Sequence, residues 1–133
     1  MNSEERALIL YRMERADEAL AEAELLLEHD HPRTAVNRLY YACFYAVSAL
    51  LLTEGQSATK HSRIRALFDQ HWIKSGRLPR EAGKLFRRLF EERQRSDYSD
   101  LASYPPDSVK LLVVPVRQLI FSIRALNDAS IRA

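Results

Sequence analysis

The chain has 133 residues, 47% of them hydrophobic and 29% charged, which excludes a disordered tail or a fibre and fits one domain spanning residues 1–133. Three glycines and five prolines leave too few turn formers for an all-β sandwich, and the lone Cys43 excludes an internal disulfide framework or a cysteine-only zinc site. The formal charge of +2 hides a division of sign: residues 1–31 hold three arginines against nine carboxylates, and residues 60–95 hold eleven Lys or Arg against four.

The opening Met1-Asn2-Ser3-Glu4-Glu5 is acidic and polar, so no signal peptide is expected. In the first segment Leu8, Tyr11, Ala16, Ala19, Leu20, Ala23 and Leu26 or Leu27 recur at helical spacing, with Ser3 as the expected N-cap and Pro32 as the stop. Pro32 then opens a second helix, where its missing N–H costs nothing. From Val36 to Leu52 only Asn37, Arg38 and Ser48 are polar, so this helix has to be surrounded by protein and is expected at the centre of a bundle. Cys43 lies inside it and reads as a small buried hydrophobe. The charge-free stretch Leu39–Thr53 is shorter than the ~18–20 residues of a bilayer span, so a soluble, cytoplasmic chain is expected, with no membrane role. Gly55 ends the second helix.

Ser57 or Thr59 is the expected cap of a shorter helix over residues 59–74, with Ile64, Leu67, Phe68 and Trp72 or Ile73 facing inward. Gly76 breaks it, and Pro79 starts a fourth helix lined by Ala82, Leu85, Phe86, Leu89 and Phe90. The Ser103-Tyr104-Pro105-Pro106 loop precedes a last helix capped by Asp107, and Pro115 inside it predicts a kink or a shifted start. The fold class is all-α: an up-and-down bundle of four long helices plus one short helix.

Four residues beyond Leu89 the apolar stripe of the fourth helix reaches Arg93, and four more give Asp97 beside Tyr98. A guanidinium at the end of a core-facing seam needs partners to offset its desolvation. Either Arg93 is a structural ion paired with Asp97, or its planar fork of donors holds a phosphate in a cleft. Arg38, at the start of the central helix, either snorkels to the surface or joins Arg93 in one nucleotide- or phosphate-binding pocket. His61 is a base, a phosphate donor or a surface cap. A ferritin-like di-metal site is excluded: only Glu28-x-x-His31 has the spacing, Pro32 truncates its helix, and His71 has no companion ligand. No metal or other cofactor is expected. The division of charge can steer phosphate-bearing ligands, dock one copy on another, or pair locally on a solvated surface. A pI near 8.8 lies below the range of dedicated nucleic-acid binders.

Arg38-Leu39-Tyr40-Tyr41-Ala42, Lys60-His61-Ser62, Lys74-Ser75-Gly76-Arg77-Leu78-Pro79 and Arg93-Gln94-Arg95-Ser96-Asp97-Tyr98, in that order, resemble the prokaryotic HEPN domain family, in its toxin–antitoxin-associated branch. The resemblance runs from about residue 5 to residue 125. It implies a helical bundle that dimerises through the motif-bearing helices. It also implies a toxin-type, metal-independent endoribonuclease or a non-catalytic nucleotide-binding module. The implied partner is a minimal nucleotidyltransferase, which in some members adenylylates a tyrosine near the motif; Tyr98 and Tyr104 are the candidates here. Arg93, Asp97 and Tyr98 are the implied catalytic set, with His61 from another helix as a further candidate. In the ribonuclease members a histidine follows the arginine after a gap of four to six residues, and this chain has Tyr98, Ser99 and Asp100 there instead. A tyrosine of ordinary pKa is poorly suited to moving a proton near neutral pH.

Overall fold

The computed structural model describes residues 1–133, and every regular element in it is helical. Helix α1 (Ser3–Glu28) opens on Asn2, whose Oδ1 accepts from the Glu5 N–H at 2.8 Å while its Nδ2 donates to Glu5 Oε1 at 3.1 Å. This reciprocal arrangement makes Asn2 the cap and Ser3 the first helical residue, one position from the expected cap. The buried stripe is Ile9, Met13, Ala16, Ala19, Ala23 and Leu27, whereas Leu8 and Tyr11 are exposed. The early part of the stripe is therefore one residue out of phase with expectation. Ile9 continues the seam of Met13 and Ala16 inward, which leaves Leu8 and Tyr11 on its flanks. The helix closes with Asp30 in the left-handed region, the Asp30 N–H on the Leu27 carbonyl and the His31 N–H on that of Leu26.

Helix α2 (Pro32–Leu52) starts with its proline in the first turn and runs through the core. It packs against α1 and every later helix. By length and composition it could cross a bilayer, but 67% of its apolar window is buried against its neighbours, so protein takes the place of lipid around it. Cys43 is fully buried in this helix, and burial pushes its thiol up to about 12. Gly55 (φ +69°) donates to the Leu52 carbonyl and Gln56 to that of Leu51, the paired bonds of a glycine-terminated helix.

Helix α3 (His61–Phe68) begins two residues after the expected start. Lys60 is its N-cap, in extended conformation, and neither Ser57 nor Thr59 bonds to its end. It continues into a π-wound turn, Asp69–Ile73, that buries Trp72. The turn lies close against helix α4 (Arg80–Tyr98) at Gly83, where a Cβ would sit 3.2 Å from Ile73 Cγ1 and 3.3 Å from Asp69 Oδ1. Gly83 is what permits that approach.

The last segment is split into a short α5 (Pro106–Lys110) and a long α6 (Val113–Arg132). Pro115 has no N–H to give the Leu111 carbonyl and would crowd it in a continuous helix. Restarting at Val113 moves the proline into a first turn, where neither problem arises. The four long helices α1, α2, α4 and α6 and the short α3 make the expected bundle, with α5 as an added single turn.

The cap assignment can be checked by substitution. Asn2→Ala should lower the free energy of urea unfolding by about 1 kcal/mol, and Ser3→Ala should change it by much less.

Candidate functional site

Three elements converge on one aromatic floor. Helix α2 supplies Tyr40, Tyr41 and Phe44, helix α3 supplies His61 from its first residue, and α4 supplies Arg93 from its inner stripe. The Arg93 guanidinium carbon lies 5.4 Å from the ring centroids of both Tyr40 and Tyr41. The His61 ring stacks on Phe44 at 4.2 Å and on Tyr40 at 5.7 Å. Tyr40, itself fully buried, also stacks on Phe86 of α4 and places its hydroxyl 2.7 Å from His61 Nδ1. The sequence separates His61 and Arg93 by the rest of α3, the π turn, the connection after it and most of α4, yet the fold sets them over the same tyrosine.

Arg93 is only partly committed within its own chain. Its Nε lies 3.2 Å from Asp97 Oδ2, one helical turn on, but its hydrogen is not aimed at that oxygen, so the contact is Coulombic rather than a formed hydrogen bond. The two terminal amines make no protein hydrogen bond, and neither is sealed from solvent. With its side chain 19% exposed, the group is recessed but open. A guanidinium held from one edge by a carboxylate and free on the other is arranged to take an anion.

His61 is half-buried, and its Nε2 has no protein partner and is not enclosed. Burial lowers its pKa from the ordinary value, and the Arg93 charge lowers it further. Burial likewise raises the Tyr40 phenol well above its ordinary value, with Arg93 and Arg65 opposing it weakly. Arg65 lies 4.4 Å over the Phe90 ring and has no carboxylate within 4.0 Å, so it adds a second positive charge at this end of the bundle. Its contribution went unseen in the sequence, where it is one of eleven cations without distinguishing context.

Arg38 stands beside the floor and turns partly outward. It packs 5.1 Å over the Tyr41 ring that Arg93 also touches, yet it reaches Glu22 at 3.6 Å and Asn37 Oδ1 at 3.0 Å. Its charge is therefore partly spent at the rim of the site. Tyr98 lies apart: the helical rotation from Arg93 turns it away, and it is 80% exposed. Tyr104 is half-buried, and its hydroxyl donates to the Glu92 carbonyl at 2.9 Å. Arg33, not singled out in the sequence, holds the end of α4: its Nε and Nη2 donate to the Ser96 carbonyl at 3.0 and 2.7 Å, and Nη2 also to that of Ser99. A cation on the last carbonyls suits the negative end of the helix and fixes the turn bearing Asp97.

Much of the acidic face of α1 is met within the chain: Arg124 on Asp17 at 2.6 Å, Arg117 on Glu24 and Arg38 on Glu22. In the basic segment Arg63, Arg65, Lys84 and Arg88 have no such partner, so this end of the bundle keeps unpaired positive charge.

Residues 9–124 match the HEPN domain. The chain belongs to the HEPN family. A UPF0332 protein of Thermotoga maritima is 44% identical over 110 residues, 83% of each chain. A Methanocaldococcus jannaschii protein named "Putative toxin" is 31% identical over 99 residues, 74% of each chain. A second protein of that name from the same organism is 35% identical over 86 residues, 65% of this chain and 58% of its own. The match covers every element that builds the candidate site, from Tyr40 on α2 to Asp97 on α4.

The electrostatic coupling gives a direct test. His61 should titrate below 6.5 in the folded protein, and Arg93→Gln should move that pKa upward by removing the repelling charge. Because the folded pKa is the depressed one, the unfolded chain protonates first. Stability contributed here is thus present above about 6.5 and is lost as pH falls through the folded value, less steeply in Arg93→Gln. Histidine proton NMR and denaturant melts against pH measure both.

Proposed function

We propose that this HEPN protein is the toxin-type component of a toxin–antitoxin pair and acts on RNA, with Arg93 holding a backbone phosphate. The observation that carries the reading is the state of Arg93: one edge against Asp97, two terminal amines open to solvent. The unpaired cations of α3 and α4 support it, since a strand crossing that surface releases counterions from its phosphates. The active unit is a cytoplasmic homodimer, in which two-fold pairing brings two Arg93 sites to one groove and completes a cleft that one short chain cannot enclose. Purified protein should degrade RNA without added metal. Arg93→Ala should reduce the rate by at least ~100-fold, as expected when a transition-state donor is lost, and Lys84→Ala should leave it nearly unchanged. No cleavage of any RNA at micromolar protein would overturn the nuclease reading.

A second reading is favoured by the position of Tyr98. The motif tyrosine faces solvent away from Arg93 and no histidine stands at residues 98–100, so no group on α4 is placed to move a proton at neutral pH. In this reading the protein is a non-catalytic module that binds a nucleotide near Arg38 and Arg93 and partners a minimal nucleotidyltransferase. Tyr98, whose hydroxyl is free, is then the better acceptor for adenylylation than Tyr104, whose hydroxyl is engaged. Co-expression with such an enzyme should add the mass of one AMP to wild type and to Tyr104→Phe but not to Tyr98→Phe. Unchanged wild-type mass counts against modification.

A further inference from the structure

The Tyr40 hydroxyl and His61 form a unit that the Arg93 motif does not account for. Tyr40 has no exposed surface, and its hydroxyl has one partner, His61 Nδ1 at 2.7 Å. A phenolic O–H buried in an aromatic cluster costs stability if its hydrogen has no acceptor. Were His61 to carry its hydrogen on Nδ1 and donate it to Tyr40, the hydroxyl hydrogen would be left without one. The phenol therefore donates to Nδ1, and the neutral ring must carry its hydrogen on Nε2, the nitrogen that has no protein partner and reaches solvent.

We infer that Tyr40 locks His61 in the Nε2–H form, so that His61 and Arg93 together make a donor-only site for a phosphate oxygen. The inference rests on the reading of Arg93 as a phosphate-holding group and specifies what stands beside it. The Nε2–H and the two free Arg93 amines are all donors; on the aromatic floor the Tyr40 hydroxyl is engaged with His61, Phe44 has no polar atom, and the Tyr41 hydroxyl makes no protein hydrogen bond and has its hydrogen to give. Two carboxylates lie near the site: Asp97, on the Nε edge of Arg93, and Glu22 at the rim, 3.6 Å from Arg38. The remaining charges at the floor are those of Arg65, over Phe90, and Arg38, over Tyr41. A phosphate monoester or diester fits this set, having several acceptor oxygens and negative charge at neutral pH. With Nε2 already carrying its hydrogen and Nδ1 taken by Tyr40, His61 is arranged to donate to an anion and not to withdraw a proton from a 2′-hydroxyl.

The test uses the full chain with histidine nitrogens labelled, and inorganic phosphate, 5′-AMP and an RNA oligonucleotide as probes. Wild-type His61 should show the Nε2–H form above its pKa. Phosphate or AMP should perturb its Nε2 resonance and raise its pKa, because the bound anion opposes the Arg93 charge. His61→Ala should weaken phosphate and AMP binding roughly tenfold or more, the loss expected for a hydrogen bond to a charged group. Tyr40→Phe, which keeps the ring, should let the Nδ1–H form appear and weaken binding less. The Nδ1–H form in the wild type, a His61 resonance indifferent to all three probes, or unchanged affinity in His61→Ala would each overturn the inference. The tautomer reading needs no variant, so loss of folding in Tyr40→Phe does not blunt it. RNA integrity is followed in the same samples: intact RNA with a perturbed His61 removes the nuclease reading alone, and cleaved RNA with an Nδ1–H His61 removes this one alone.

Discussion

One buried phenol organises this end of the molecule. Tyr40 sits where α2, α3 and α4 meet, stacked on Phe86 and His61 with a guanidinium at its face, and its hydroxyl has a single acceptor. Aromatic packing of this kind contributes through buried area and through the geometry of ring contacts. The hydroxyl adds a constraint that packing alone does not. It requires α3 to begin where it does, with His61 as first residue, because a shift of one position would rotate the imidazole about 100° away and strand the phenol. The start of α3, which no Ser or Thr side chain caps, is held from the core side instead.

The bundle itself was legible because its causes are local. Proline at the start of α2, glycine after its end and the near-continuous apolar run between them specify a surrounded helix without reference to anything distant. Pro115 announced a disturbance in the last helix for the same reason. The misplacements occur where two local solutions were close: Asn2 and Ser3 are both good caps, and Leu8 and Ile9 could each continue the stripe. Tertiary packing chose between them. The early end of the α3 segment's regular geometry, and its π turn, follow from a contact with Gly83 that sequence periodicity does not carry.

The site was legible in part, and the division again has a physical basis. Arg93 and Asp97 stand out because a charge at the end of an apolar stripe violates the pattern of its own helix. His61 could be named but not placed, since its neighbours lie on other helices, with Tyr40 lying 21 residues away in sequence. Arg65 and Arg33 left no signal at all. Arg65 is one cation among many in the basic segment and Arg33 stands at the open start of α2, and only the fold shows that one lies over Phe90 while the other closes the end of α4. Tyr98 is the opposite case. Adjacent to Asp97 in sequence, it reads as part of a constellation, but about 140° of helical rotation from Arg93 separates it from that face.

Placing the histidine on α3 rather than after the arginine changes what the pair can do. A histidine on the same helix as Arg93 would present both nitrogens to a surface groove, and solvent would exchange its proton freely. His61 has one nitrogen committed to a buried hydroxyl that must keep its hydrogen, so its protonation state follows the core. Protonating it leaves the Tyr40 hydrogen without an acceptor and adds a positive charge beside Arg93, two costs of the same sign. A bound phosphate offsets the second but not the first. The arrangement thus holds an anion with a neutral donor at pH values where a free imidazole would already be charging. A proton that must leave a 2′-hydroxyl has to go to some other group.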